Sequence, residues 1–594
     1  MNAERAEKLM RSVGVAVVTG SLVFAQVPVA AIAEEANGGQ APQSQDGGTP
    51  PEKPEGEAAG DGGMGGSGEE PPGGFGGMGG EGGEAPGGQP GGGGGMGGAN
   101  TMTFDYSGSY SGTIAADGIS VTKDGESAAA TESDVNAALA QNGGLLSLTN
   151  VTLTKSGDDT NGDNCNFYGL NSILLAVGES SSVTIKDSQL NATSEGSNGI
   201  FATDNATVLA HNVTINTTAG NSRGLDATYG GTILAGSVDI STKGDHCAGV
   251  ATDRGGGTIS LDSGSISTEG SGSPILYSTG NIQVSNVTGK ATGSQLVGME
   301  GLNTILISNS TLESTQTDKT ASDPVADGVI IYQSTSGDAE AATGETATFQ
   351  AVDSTLKSAI QSGSMFYLTN TTADVVLKNT TLDFDSNKAN LLYAAGNNAN
   401  SWGSAGKNGA TVKFTGIEQQ LKGNVVADTI SSIDLHLTSN TTWTGAASIE
   451  ENSAGSTSKT PLTVNVGATS TWVVTANSTV SKLNVANGAK IVDANGKTVT
   501  IVAAGQTVVS GDSDLTVTVT GAYSATYDES SAGSVSSDTI DRSAYTAAFG
   551  ASADQTTSTA GSSSTSSESA ASDSAAQTSW WDAVINWFKG LFGL

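Results

Sequence analysis

The chain has 594 residues, 83 of them Gly and only 14% charged, a composition unlike that of an ordinary soluble enzyme and better matched to a repeat architecture. Lys and Arg number 24 against 60 Asp and Glu, a net charge of −36 that repels nucleic acid and anionic lipid, and nucleic-acid binding is excluded on that ground.

Residues 1–33 read as a signal peptide. Met1 to Arg11 is charged, Ser12 to Val29 is largely apolar, and Ala31-Ile32-Ala33 supplies the small-x-small step of a cleavage site. Ser12 to Ala33 is also just long enough to span a bilayer, so an uncleaved anchor is the competing reading. Both place the remainder outside the cytoplasm. Residues 34–100 are almost all Gly, Pro, Glu, Gln and Ala, with too little apolar surface to offset chain entropy, and are expected to be a flexible acidic linker.

Residues 101–525 change to short β-branched runs broken by Gly, Asn, Asp and Ser, the chemistry of strands and turns. A repeat runs through them. Gly199-Ile200-Phe201-Ala202-Thr203, Gly224-Leu225-Asp226-Ala227-Thr228 and Gly249-Val250-Ala251-Thr252-Asp253 are spaced by 25, and Pro274-Ile275-Leu276-Tyr277-Ser278 extends the series. Val208 and Ala210 match Ile233 and Ala235, then Ile259 and Leu261, Ile282 and Val284, and Ile305 and Ile307; Val213 and Ile215 match Val238 and Ile240. Three short alternating strands in about 25 residues predict an all-β, right-handed parallel β-helix whose inward side chains fill the bore. Thr193, Thr218, Thr242, Thr268 and Thr292 are expected to stack along the axis as ladder residues. Cys165 and Cys247 fall about three coils, or roughly 14 Å, apart, too far for a disulfide, and are expected to be unpaired buried thiols.

Polar chemistry is sparse. His211, His246 and His436 occupy different coils and different phases of the repeat, so they assemble neither a zinc set nor a Ser/His/Asp arrangement. Asp159, Asn161 and Asp163 offer oxygens around a Gly turn, which reads either as a weak calcium loop or as an ordinary exposed turn. The repeat deviates most where superposed coils put Thr203, Thr228, Asp253, Ser278 and Glu300 in one outward column, Asp226 in the next, and Arg223, Tyr229 and Arg254 at the turns. Coils about 4.8 Å apart bring these groups onto one patch, and the insertions Ser334 to Thr346 and Asn397 to Asn408, the latter carrying Trp402, are placed to wall it. Carboxylates, guanidinium and an aromatic platform suit a polysaccharide; the alternative is a set of surface Asp/Arg pairs and turn caps.

Residues 526–578 are Ser-, Thr- and Ala-rich and read as a second linker. Residues 579–594 predict an amphipathic helix with Asp582, Asn586, Lys589 and Gly593 on one polar stripe. About 22 Å long, it cannot span a bilayer. It either lies at a membrane interface or against a partner through Trp580, Trp581, Trp587 and Phe588, or caps the open end of the solenoid.

The stretches Asn166-Phe167-Tyr168-Gly169-Leu170-Asn171, Arg223 to Gly231 and His246 to Gly255 resemble the pectate-lyase-like superfamily of parallel β-helices, and within it the secreted adhesin-like or carbohydrate-binding proteins of gut bacteria. That resemblance implies a bacterial cell-surface protein whose partner is a polysaccharide or a host or neighbouring-cell surface. The polygalacturonase motif set is missing, and Arg254 with Asp253 and Glu300 matches a calcium-dependent lyase only loosely. The expected function is therefore a noncatalytic adhesin-like or glycan-binding surface protein, with a pectate-type lyase and a purely structural stalk as alternatives.

Overall fold

The computed structural model describes residues 102–553, except 337, 340–345, 398–399 and 401. The expected signal peptide, the first linker and the C-terminal amphipathic helix lie outside the described residues. What is described is an all-β solenoid, the parallel β-helix that the repeat predicts.

One sheet collects the first strand of each coil: among the described residues, thirteen strands from Gly112–Asp117 through Ile200–Thr203, Leu225–Ala227 and Val250–Thr252 to Ala447–Glu450 stack in parallel. The glycines that open these strands in the repeat have a steric cause. A Cβ on Gly224 would sit 2.4 Å from the Gly249 carbonyl oxygen, and one on Gly199 would sit 2.5 Å from that of Gly224, so backbone packs on backbone at this corner. The second and third strands of the expected coil are fused in the central coils. Ser182–Ala192, Thr207–Thr217, Thr232–Thr242, Thr258–Thr268 and Asn281–Ala291 are continuous strands that pair in parallel, with Val208 beside Ile233 and Val213 beside Val238 as the repeat requires. Each of them turns the corner at a residue with positive φ, such as Asn212 (53°), Ser237 (52°) and Asn286 (56°), where short polar side chains tolerate the left-handed region.

The bore is one continuous apolar core, from Ile114 and Ala116 to Val517 and Val519, with Trp443 and Trp472 stacked inside it at 4.7 Å. The inward Thr ladder is offset from the expected one: Thr217, Thr242 and Thr268 are in register, and each hydroxyl donates to a main-chain carbonyl five residues on, at 2.6 Å. Cys165 and Cys247 are free and buried, and Cys247 continues a column of Ser197, Ser222 and Ser273 in which each backbone N–H donates to the next side chain.

Residues 526–553, expected as the start of a linker, instead form a strap that returns along the outward face of the long-strand sheet. Tyr527 bonds His436, Gly533 donates to Thr415, Ser536 to Gln350 and Ile540 to Gln283, and Arg542 reaches Ser260 and Ala235. The short helix Ser543–Phe549 then seats Tyr545 against Leu209 and Leu234. The composition concealed this because the strap needs only one apolar or hydrogen-bonding anchor every few residues, the rod supplying the other half of each contact.

Candidate functional site

The residues singled out by the broken repeat do come together, but under cover. Outward positions of the first sheet run Phe201, Asp226, Ala251, Tyr277 in one column, and the neighbouring column contains Glu300 beside Tyr332. Val250 pairs with Leu276, a step of 26, so Thr279 and not Ser278 follows Asp253; Ser278 aligns with the inward Met299. Arg223, Asp226, Tyr229, Asp253, Glu300 and Trp402 are all buried, and of the expected patch only Arg254, its side chain 20% exposed, reaches solvent. This corrects the expectation of an open edge.

The cover comes from the helix Gly162–Tyr168 and the two insertions. Asn166 Oδ1 accepts from Arg223 Nη1 at 2.8 Å, Arg223 Nη2 pairs with Asp253 at 3.0 Å, and Nη1 lies 3.5 Å from Asp226. Arg254 lies over the Phe167 ring, 3.6 Å from its centroid, and donates through Nε to Asp338 at 2.6 Å. Glu300 accepts from Tyr277 (3.1 Å), the Ser334 N–H (3.2 Å) and the Ser334 hydroxyl. Trp402 stacks on Tyr332 at 4.5 Å. Burial disfavours the Arg223 charge, but Asp226 and Asp253 reverse this and hold the guanidinium above its ordinary value. Burial pushes the carboxyls of Asp226 and Glu300 up to about 7, against the pull of Arg223 in the first case and reinforced by Asp338 in the second. With every guanidinium engaged, the cluster clamps the added segments to the rod.

Asp159, Asn161 and Asp163 lead into the covering helix. Asn161 is its N-cap, Oδ1 accepting from Asn164 N at 3.1 Å, and Asp163 lies in the first turn. Among the described residues no group of three or more His, Cys, Asp or Glu is arranged to hold a metal ion.

An open cleft lies a few coils toward the N-terminus, along the same edge. Residues 104–110 cross the outward face there, and a cleft of about 650 Å³ separates them from the turns that end successive first-sheet strands. Phe104 and Tyr110 form one wall; Asp117, Gln141, Asn142, Glu179 and Asp204 form the other. The wall is stiffened by an aromatic stack in which Tyr168 lies between Tyr106 (5.1 Å) and Tyr229 (5.5 Å, 6° between planes), with Phe104 edge-on to Tyr168 and Tyr229. The Tyr110 hydroxyl donates to the Tyr168 carbonyl at 3.1 Å. Tyr229 thus backs this wall from within. Asp204 follows Thr203 at a turn of the first in-phase coil, and the other cleft residues precede the in-phase coils, so the repeat gives them no signal. Their signal is compositional: Phe104, Tyr106 and Tyr110 place three aromatics in seven residues of a chain that is 5% aromatic.

Compared with known proteins, the chain matches no family model and no curated protein.

Proposed function

We propose that this protein is an exported, noncatalytic surface protein that binds glycan chains through the cleft beside residues 104–110. The observation that carries the reading is that two aromatic side chains, Phe104 and Tyr110, line one cleft of about 650 Å³ together with the amides and carboxylates of Asp117, Gln141, Asn142, Glu179 and Asp204. A sugar presents apolar C–H faces and a rim of hydroxyls, and a site with one aromatic wall and one polar wall answers both. Secretion, surface display and membership of the pectate-lyase-like superfamily are part of this reading and rest on the N-terminal segment and the stretches quoted above. The amphipathic segment 579–594 is proposed as the surface or partner contact. A lyase using Arg254 as base is less well supported, because its Nε is bonded to Asp338 and its guanidinium packs on Phe167.

The test is retention of the full chain on immobilised glycans, with Tyr110→Ala and Asn142→Ala as variants. Retention that both variants weaken, without ultraviolet-absorbing unsaturated product, is the expected result. Product formation would favour the lyase, and no retention on any glycan would leave the stalk.

A further inference from the structure

We infer that Asp323 and Asp327 hold a calcium ion at the corner where the turn 315–326 enters the first sheet, a site separate from the glycan cleft. Both residues are buried, 2% and 4% exposed. Oδ1 of Asp323 and both carboxylate oxygens of Asp327 have no hydrogen-bond partner, and among the described residues neither side chain enters a salt bridge. An inserted turn brings the two together. Asp327 opens the strand Asp327–Tyr332, whereas Asp323 is carried by the turn from Ser314 to Asp327, much longer than its counterpart in the next coil, Ser358 to Ser364. That turn is tied to its neighbours. Thr320 Oγ1 accepts from the Gly272 N–H at 3.1 Å and donates to the Gly293 carbonyl at 2.8 Å, and the Ser322 carbonyl accepts from Asn400 Nδ2. Burial, and then the charge of Asp327, push the Asp323 carboxyl well above its ordinary value; Lys319 pulls the other way but is exposed.

Two buried carboxylates with three unanswered oxygens call for a positive charge, and no ion pair supplies it. Neighbouring rungs add neutral oxygens. The register puts Gln295 on the rung before Asp327, since the Leu296 N–H donates to the Gly328 carbonyl at 3.0 Å and Val297 pairs with Val329; Ser364 is on the rung after. Gln295 Nε2 is buried without a partner, while Oε1 accepts from Ser294 Oγ at 2.5 Å. Turning that amide over gives Nε2 the Ser294 oxygen as acceptor and frees Oε1 for the ion. Ser364 has donated its hydroxyl proton to the Phe366 carbonyl at 2.9 Å, which leaves its oxygen as an acceptor only. Donors that are all oxygens select a hard cation. Calcium accepts an irregular shell of carboxylate and neutral oxygens, where magnesium demands an octahedron and retains water.

The experiment measures calcium binding to the full chain by equilibrium dialysis after EDTA treatment, with the melting temperature followed in parallel. Calcium is expected to bind and to raise the melting temperature, and magnesium at the same concentration to raise it less. Asp323→Asn and Asp327→Asn are each expected to weaken the tightest calcium site about tenfold or more, whereas Asp159→Asn with Asp163→Asn should leave it unchanged. Tight binding that survives in the double variant Asp323→Asn with Asp327→Asn would assign the ion to another acidic surface and overturn the inference. An unmodified chain whose melting temperature does not respond to calcium would also overturn it, leaving the two carboxyls to share a proton. An equal response to magnesium would show charge screening in place of a site and would overturn it as well.

Discussion

Tyr545 closes a contact across 334 residues: its hydroxyl lies 2.7 Å from Nδ1 of His211, with the two rings edge to face at 6.0 Å. Through it the last helix of the strap is fixed to a coil near the start of the rod. Arg542 braces the same contact, its guanidinium 4.3 Å from the Tyr545 ring centre while donating to Ser260 and Ala235 carbonyls at 3.1 Å.

Removing this anchor should free the strap without unwinding the rod. Tyr545→Ala deletes a fully buried ring and is expected to cost about 3 kcal/mol at that contact. In limited proteolysis, cleavage within residues 526–553 should accelerate while the fragment from 112 to 524 survives. Loss of the whole rod at the same protease dose would show that the strap supports the coils.

Arg223 makes a different prediction because its partners are buried with it. Arg223→Met leaves Asp226 and Asp253 as uncompensated buried carboxylates, and breaking such a pair costs about 3–5 kcal/mol. Hydrogen exchange should rise in the helix Gly162–Tyr168, which loses its Asn166 contact. A triple variant, Arg223→Met with Asp226→Asn and Asp253→Asn, should recover part of the loss.

Glu300 sets a pH dependence. Its folded carboxyl titrates near 7, while the unfolded value is about 4.3, so between these the folded state holds more protons. Its contribution to stability is therefore complete below about pH 4.3 and lost as pH rises to 7. Melting temperature should be higher at pH 5 than at pH 8, and Glu300→Gln should flatten that slope in calorimetry at matched ionic strength. A slope unchanged by the substitution would assign it to other groups.

The C-terminal coils depend on an indole stack. Trp443 and Trp472 donate through Nε1 to the carbonyls of Gly423 (2.9 Å) and Gly445 (3.0 Å), so each ring is both packed and hydrogen-bonded. Trp472→Ala is expected to cost about 3–5 kcal/mol, felt locally because a solenoid couples each coil mainly to its neighbours. Hydrogen exchange should increase across residues 442–493 and not across 182–291.

Much of the rod was legible in the chain. Alternation of Val208, Ala210, Val213 and Ile215 marks the inward face, and the glycines at 199, 224 and 249 mark a corner where only hydrogen fits. The expected register slips in the Thr ladder, where Thr242 pairs with Thr217 and not Thr218, and between Val250 and Leu276, where a coil one residue longer puts Ser278 inward and Thr279 in the outward column. A single inserted residue in a turn carries no signal of its own, yet in a period-two strand it exchanges the two faces.

The candidate site was harder to see for a related reason. Asp226, Asp253 and Glu300 were correctly placed outward, but whether outward means exposed depends on segments remote in the chain, Asn166 and Phe167 on one side and Ser334, Asp338 and Trp402 on the other. The same holds for Tyr229, which backs an aromatic wall built by Phe104, Tyr106 and Tyr168. Local sequence determined the coils, because strand alternation and turn chemistry act over a few residues and each coil templates the next. Only the tertiary structure decided which outward faces are sealed, which edge stays open and where the strap runs, because these depend on contacts between residues tens to hundreds of positions apart, to which no local periodicity points.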